Sequence, residues 1–198
     1  MPRAKQRTPE LRDRVLQVAI AMLDERGVAG FTARNVAEGA ETSVPAVYEL
    51  FGDKAGLVRE MFFEGFGQLR HRFDALPESE DPRTDLLDVI DAYRTFVRGN
   101  PVLAAVMFSR PFADFNPGPA EVRKTGSVRR FVVDRVRRGI DAGLLAGDET
   151  DIAHALLALA QGLAAQENAG WLGSSAASVD RRWSLAFRAL IAGLGPKA

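Results

Sequence analysis

The chain has 198 residues, 46% of them hydrophobic and 26% charged, so its composition is that of a globular protein with a sizeable core. It contains no cysteine, which excludes disulfides and cysteine-based zinc sites and favours a reducing compartment such as the cytoplasm. The formal net charge is zero and therefore gives no indication of a nucleic-acid partner. No apolar stretch fits an export signal or a membrane anchor, so we expect neither.

Apolar residues recur at intervals of three and four along the chain, which is typical of helices, and no segment alternates with period two. We therefore expect an all-α fold of about nine helices. The first helix is predicted to begin after Thr8, with Pro9 at its first position, and to stop at Gly27.

Two short helices follow at residues 32–40 and 43–51, with only a few residues between them. Gly52 ends the third helix, and Asp53 is expected to cap a fourth that runs to about Ala75. Two short helices joined by a tight turn and followed by a longer helix are typical of the helix-turn-helix, which places its second short helix in the major groove of DNA.

The rest of the chain is predicted to be helical apart from a loop at 76–83 and an irregular stretch at 109–119 that contains three prolines. The remaining helices are expected to begin at Thr84, at Asn100 with Pro101, and at about Ala120, Thr150 and Ser178. We predict a DNA-binding domain over residues 1–53 and a helical ligand-binding and dimerisation domain over residues 54–198.

The sequence of the two short helices is distinctive. Residues 32–40 read TARNVAEGA and residues 41–54 read ETSVPAVYELFGDK. This pattern of Thr, an aliphatic-Ala pair, a small-residue turn, a polar cap, an aliphatic-Tyr pair, Phe and Lys closely resembles the DNA-binding signature of the TetR (tetracycline repressor) family. The resemblance covers residues 1–57 and implies a transcriptional repressor that binds a palindromic operator as a homodimer and is released by a small, largely apolar ligand.

The resemblance also implies roles for individual residues. Tyr48 and Lys54 correspond to phosphate contacts, Thr32 and Ser43 begin helices whose backbone N–H groups can bind phosphate, and Arg34 suits guanine. The chain departs from the family pattern at Glu41, which replaces the usual turn glycine, at Val44, which replaces a common polar or basic residue, and at Glu49. Glu49 either accepts a hydrogen bond from cytosine or is a solvated acid. The predicted DNA-binding residues are Thr32, Arg34, Thr42, Ser43, Val44, Pro45, Ala46, Tyr48, Glu49 and Lys54.

Aromatic residues and methionines concentrate between the DNA-binding segment and the last two helices. Apolar walls with a few polar groups are typical of small-ligand pockets, but stripes at helical spacing are also typical of plain core, and both interpretations stay open. The predicted ligand-binding residues are Phe62, Phe66, Tyr93, Phe96, Met107, Phe108, Phe112, His154, Gln161 and Trp171.

One helix-turn-helix covers only half of an operator, so specific binding requires two copies of the chain. The resemblance implies dimerisation through the last two helices, although their apolar faces could instead fill the core of the single chain. The predicted dimer contacts are Leu156, Leu159, Leu163, Trp183, Phe187, Leu190 and Ile191.

The sequence argues against an enzyme. Its two histidines lie far apart, and it contains no phosphate-binding Walker loop, no Gly-x-Ser-x-Gly elbow and no His-Glu-x-x-His pair. We expect no metal and no cofactor. The alternative function is a DNA-bound interaction or chromosome-organising protein, which would keep the helix-turn-helix but need no small-molecule effector.

Overall fold

The computed structural model describes residues 8–109, 112–113 and 115–196. Within these ranges the chain forms nine α-helices and no strand, which confirms the all-α prediction. No helix in the same ranges is long and apolar enough to cross a membrane. The helices are α1 (Pro9–Gly30), α2 (Ala33–Gly39), α3 (Val44–Phe51), α4 (Lys54–Asp74), α5 (Pro82–Gly99), α6 (Pro101–Phe108), α7 (Pro119–Asp141), α8 (Glu149–Asn168) and α9 (Ala176–Gly193).

The helices form two compact units. The first consists of Met1–Phe66 and Pro101–Arg123, and the second of Gly67–Asn100 and Lys124–Ala198. The first unit therefore extends past residue 53, because α6 packs on α1 and returns a later part of the chain to the N-terminal helices. The functional boundary that the sequence places after residue 53 stays a prediction.

The first helices begin where the sequence predicts, because each has a capping side chain. Thr8 caps α1, and the Thr32 hydroxyl accepts a hydrogen bond from the Asn35 amide at 3.2 Å. The Ser43 hydroxyl accepts from the Ala46 amide at 3.3 Å, and the Asp53 carboxylate accepts from the Gly56 amide at 2.7 Å. These caps fix the ends of the helices around the turn between α2 and α3.

Gly27 interrupts α1 as the sequence predicts. Its φ of 61° and ψ of −172° are not helical, and this combination is accessible almost only to glycine. The regular part of α1 therefore ends at Gly27, and residues 28–30 form a further short turn that leads into α2.

Two predicted helix starts are wrong by a few residues. The cap of α5 is Asp81 rather than Thr84, and its carboxylate accepts hydrogen bonds from the Arg83 amide and from the Thr84 hydroxyl. Helix α9 begins before Ser178, because Ser175 and Ser178 cap each other reciprocally. In both cases a side chain earlier in the sequence than the predicted cap accepts the hydrogen bonds from the first backbone amides of the helix.

The core of the second unit contains a buried carboxylate. Asp85 of α5 is only 2% exposed and pairs with Arg135, whose Nη1 lies 3.2 Å from Oδ2, and with Arg138, both on α7. The Ser79 amide donates to the same carboxylate at 2.8 Å. Burial by itself would raise the pKa of Asp85, but the Ser79 hydrogen bond and the two guanidinium groups outweigh it and hold the pKa below its usual value.

Candidate nucleic-acid interface

Helices α2 and α3 are each anchored by one buried face. Val36 and Ala37 of α2 and Val47 and Phe51 of α3 are buried in the first unit. The side chains on the other sides of these two short helices are consequently directed outward. This is the arrangement that a recognition helix requires.

The turn between the two helices is held by specific backbone interactions. Glu41 has a φ of 50°, in the left-handed region that favours glycine, at the position where the resemblance implies a glycine. The Thr42 amide donates to the Ala37 carbonyl at 2.9 Å, and Arg14 Nε of α1 donates to the Ala40 carbonyl at 3.1 Å. Arg14, which sequence reasoning did not single out, thus ties α1 to the turn.

Most of the predicted DNA-binding side chains lie on the outward sides of α2 and α3. Arg34, Pro45 and Glu49 are exposed, and Tyr48 is 45% exposed although it is a large aromatic residue. Val44 and Ala46 are half-buried. The hydroxyls of Thr32 and Ser43 are used as helix caps, so the groups that these two positions offer to a phosphate are the amides of the first turn.

Thr42 differs from the other predicted DNA-binding residues in the position of its hydroxyl. Its Oγ1 atom is buried and has no hydrogen-bond partner among the described residues, while its amide is used inside the turn. The buried hydroxyl favours a structural position in the turn, although Thr42 as a whole is half-buried and its contact with DNA stays a prediction. A sequence pattern cannot reveal this, because Thr is common both inside turns and at protein–DNA interfaces.

Lys54 is held by aromatic rings at the start of α4. Its Nζ lies 5.5 Å from the ring centroid of Phe31 and 5.4 Å from that of Phe112, within the range of cation–π attraction. The residue as a whole is half-buried, so part of it remains accessible.

The predicted dimer contacts divide into two groups. Leu156, Trp183, Phe187 and Ile191 are buried within the single chain, which leaves them little surface for a partner, and their role as dimer contacts stays a prediction. Leu159, Leu163 and Leu190 are half-buried and keep part of their surface. The burial of the first group favours the alternative in which these faces fill the core.

The outward faces of α8 and α9 carry small and apolar residues beyond the predicted dimer contacts. Leu185 is 70% exposed on α9, and α8 exposes the small residues Ala158, Gly162 and Ala165 at helical spacing. Leu185 lies midway between Trp183 and Phe187 in the chain, and this spacing was the available signal, because it places Leu185 opposite the buried side of the helix.

The predicted ligand-binding residues are distributed over both units. In the first unit, Phe66 lies between Phe62 and Phe108, with ring centroids 4.9 and 5.7 Å apart, and Met107 and Phe112 are buried. In the second unit, Tyr93 and Phe96 are buried and Gln161 is half-buried, and burial raises the pKa of the Tyr93 phenol. His154 is exposed, with Nδ1 2.9 Å from the Thr150 carbonyl, and Trp171 is 78% exposed. A shared pocket for these residues stays a prediction.

The second unit has an open groove of about 230 Å³ between α5 and α9. Ile90, Trp183 and Phe187 form its apolar part. Arg94 lines it as well, lies 5.1 Å above the Trp183 ring, and makes a two-point ion pair with Glu167 at 2.8 and 2.9 Å. Burial alone would raise the pKa of Glu167, but Arg94 and the Trp183 indole N–H outweigh it and lower the pKa. The groove thus combines aromatic residues with an arginine that is already paired.

Two family models match the sequence. The model for bacterial regulatory proteins of the tetR family matches residues 15–61, and the model for the tetracyclin repressor-like C-terminal domain matches residues 86–190. The chain is 29% identical over 154 residues to the tetracycline repressor protein class C of Escherichia coli, in a match that covers 75% of this chain. The same match covers 60% of the relative, less than two thirds of its length.

Solved structures share the fold. A protein of unknown function from Rhodococcus sp. RHA1 superimposes with a TM-score of 0.81 at 24% identity, covering 99% of this chain and 100% of the other. A TetR variant from Acinetobacter baumannii AYE, solved in complex with minocycline, has a TM-score of 0.64 at 21% identity and covers 90% of this chain and 93% of the other.

An N-terminal helix-turn-helix joined to a helical C-terminal region defines a DNA-binding transcription regulator rather than an enzyme. The two family models together match both halves of the chain. The chain belongs to the TetR family of transcriptional regulators.

Proposed function

We propose that this regulator is a cytoplasmic repressor that binds a palindromic operator as a homodimer and is released by a small, largely apolar ligand. The observation that carries the DNA contact is the exposure of Tyr48 on a helix whose Val47 and Phe51 are buried. A large aromatic residue with a polar tip gains little from water and suits a surface that a partner covers. The phenol then donates to a phosphate, while Arg34 contacts a base.

DNA binding is tested with an operator selected in vitro from random duplexes. Tyr48→Ala is expected to weaken binding on every sequence alike and to reduce the salt dependence, because a phosphate contact carries no sequence information. Arg34→Ala is expected to relax the preference at one base pair in each half-site. If Tyr48→Ala changed only the base preference, the assignment of Tyr48 to phosphate would be refuted.

The dimer is proposed to form through the outward faces of α8 and α9. Leu185 and the small residues Ala158, Gly162 and Ala165 are exposed there, and small residues allow two helices to approach closely. The half-buried Leu159, Leu163 and Leu190 would extend this apolar surface. A symmetric dimer would supply two copies of α3, one for each half-site.

The dimer face is tested by placing a charge on it. Leu185→Glu is expected to shift the chain from dimer to monomer in sedimentation analysis and to abolish tight operator binding. Val122→Glu is the matched control, because Val122 is also an exposed large apolar residue, at 50%, but lies on α7. If both variants remained dimers in sedimentation analysis, the α9 face would be excluded as the dimer contact.

The effector is proposed to be apolar because each unit contains a cluster of aromatic side chains to which no other role is given. Phe62, Phe66 and Phe108 cluster in the first unit, and Trp183 and Phe187 line the groove of the second. The names of two relatives support a ligand-released repressor: one is a tetracycline repressor, and one was solved with minocycline.

Release by a ligand is tested by screening apolar metabolites for a rise in melting temperature and then for loss of operator binding. A compound that does both supports the proposal, because the ligand must favour the released state. A broad screen without any hit, together with many genomic binding sites, would favour a DNA-bound organising protein instead.

A further inference from the structure

The segment between α6 and α7 contributes two buried phenylalanines to the first unit, and the two have different neighbours. Phe112 and Phe115 are both 6% exposed. Phe112 packs on Phe31, with ring centroids 5.3 Å apart, and both rings lie near the Lys54 ammonium group. Phe115 packs instead on Phe62, with centroids 5.5 Å apart and the rings edge to face.

The lysine side chain is long and flexible, and ordering it for a single contact costs conformational entropy. The Lys54 Nζ atom lies 5.4 and 5.5 Å from two ring centroids, and this attraction offsets the entropy loss before DNA binds. Lys54 as a whole is half-buried, so the rings do not enclose the residue completely.

Phe31 and Phe112 are not equivalent supports. Phe31 lies between α1 and α2 and is almost fully buried, so it belongs to the packing of the helix-turn-helix itself. Phe112 lies some sixty residues further along the chain than Lys54, in the stretch 101–123 that returns to the first unit. The position of the Lys54 charge therefore depends on a segment outside the helix-turn-helix sequence.

We propose that Phe112 is a positioning residue for DNA binding, which holds the Lys54 ammonium group in place for a backbone phosphate. This inference rests on the proposed function, since it assumes that Lys54 contacts phosphate. It extends the DNA-binding machinery to a residue that makes no contact with DNA. It also predicts that the effect of Phe112 on DNA binding is exerted through Lys54.

The test is a double-mutant cycle with the full chain and a fluorescent, non-specific duplex of about 30 base pairs, long enough for two half-sites. Phosphate contacts do not depend on sequence, so no operator is required. Phe112→Leu is expected to weaken binding by about three- to tenfold and to reduce the salt dependence by about one phosphate contact. In a Lys54→Met background the same change is expected to have no further effect.

Phe115→Leu is the matched control, because it is the same substitution at a residue of equal exposure in the same segment. It is expected to lower the melting temperature like Phe112→Leu but to leave DNA affinity within about twofold of the parent. Phe112→Tyr keeps an aromatic ring under the ammonium group and is expected to retain parental affinity.

Three results would overturn the inference: equal DNA affinity of the Phe112→Leu and Phe115→Leu variants, an undiminished effect of Phe112→Leu in the Lys54→Met background, or tighter binding by Phe112→Leu. Tighter binding would mean that the rings hold the ammonium group away from DNA. If the parent chain itself bound no duplex in a salt-dependent manner, the proposed function would fail together with this inference. Parental binding without a Phe112 effect would refute this inference alone.

Discussion

Replacing Asp85 by asparagine removes one charge from the most buried ion pair of the second unit. The Asp85 side chain is 1% exposed, and the Arg135 side chain opposite it is 9% exposed. Removing one member of a buried pair leaves the other charge without compensation, which typically costs about 3–5 kcal/mol. Glu78 lies 3.1 Å from Arg135 and partly replaces the lost charge, so we expect the variant to be less stable by about 2–3 kcal/mol.

Denaturant unfolding followed by circular dichroism measures this loss. Asp74→Asn is the matched control, because it removes the same charge from the exposed pair of Arg70 and Asp74 on α4, and it should change stability little. Equal midpoints for Asp85→Asn and the parent would refute the reasoning, since they would mean that the arginines are adequately solvated without Asp85.

The same pair predicts a pH dependence. The folded protein holds the pKa of Asp85 below its usual value, so the unfolded chain binds the proton more readily than the folded chain. The stability that Asp85 contributes is therefore fully present above the usual pKa of an aspartate and is lost as the pH falls through the lowered value. The difference in unfolding free energy between the parent and Asp85→Asn should be constant near neutral pH and shrink in acid; a constant difference down to strongly acidic pH would contradict the assignment.

Three further predictions concern the helix-turn-helix and can be checked by thermal unfolding. Glu41→Gly should stabilise the protein by about 0.5–1 kcal/mol, because it relieves a left-handed backbone at φ 50°, and a lower melting temperature would argue that the Glu41 side chain matters more than its backbone. Thr42→Val should stabilise by about 1 kcal/mol by removing a buried hydroxyl that has no partner among the described residues, whereas Thr32→Val should destabilise by about 1 kcal/mol by removing the cap of α2. Gly56→Ala should destabilise by about 2 kcal/mol and weaken DNA binding, because the added methyl group would collide with the carbonyl at the end of α3; Gly67→Ala in the same helix meets no neighbour and should be neutral or stabilising.

Local sequence was sufficient to predict the helix-turn-helix. Thr32, Ser43 and Asp53 each lie one residue before a helix, and a capping bond spans only two or three residues, so its presence can be read from neighbouring positions. The period of apolar residues likewise marks which side of each helix is buried. Gly27 and Gly52 have positive φ where the chain must leave a helix, and this also is a local property.

The tertiary structure decided which surface covers each apolar face. Trp183 and Phe187 have the spacing of a dimer seam, but they pack inside the chain, and the exposed Leu185 lies on the other side of α9. Periodicity identifies an apolar face without identifying its partner, because the partner comes from a distant part of the chain or from another molecule. For the same reason the sequence could not bring Phe112 to Lys54, a contact that exists only because the chain returns to the first unit after α5.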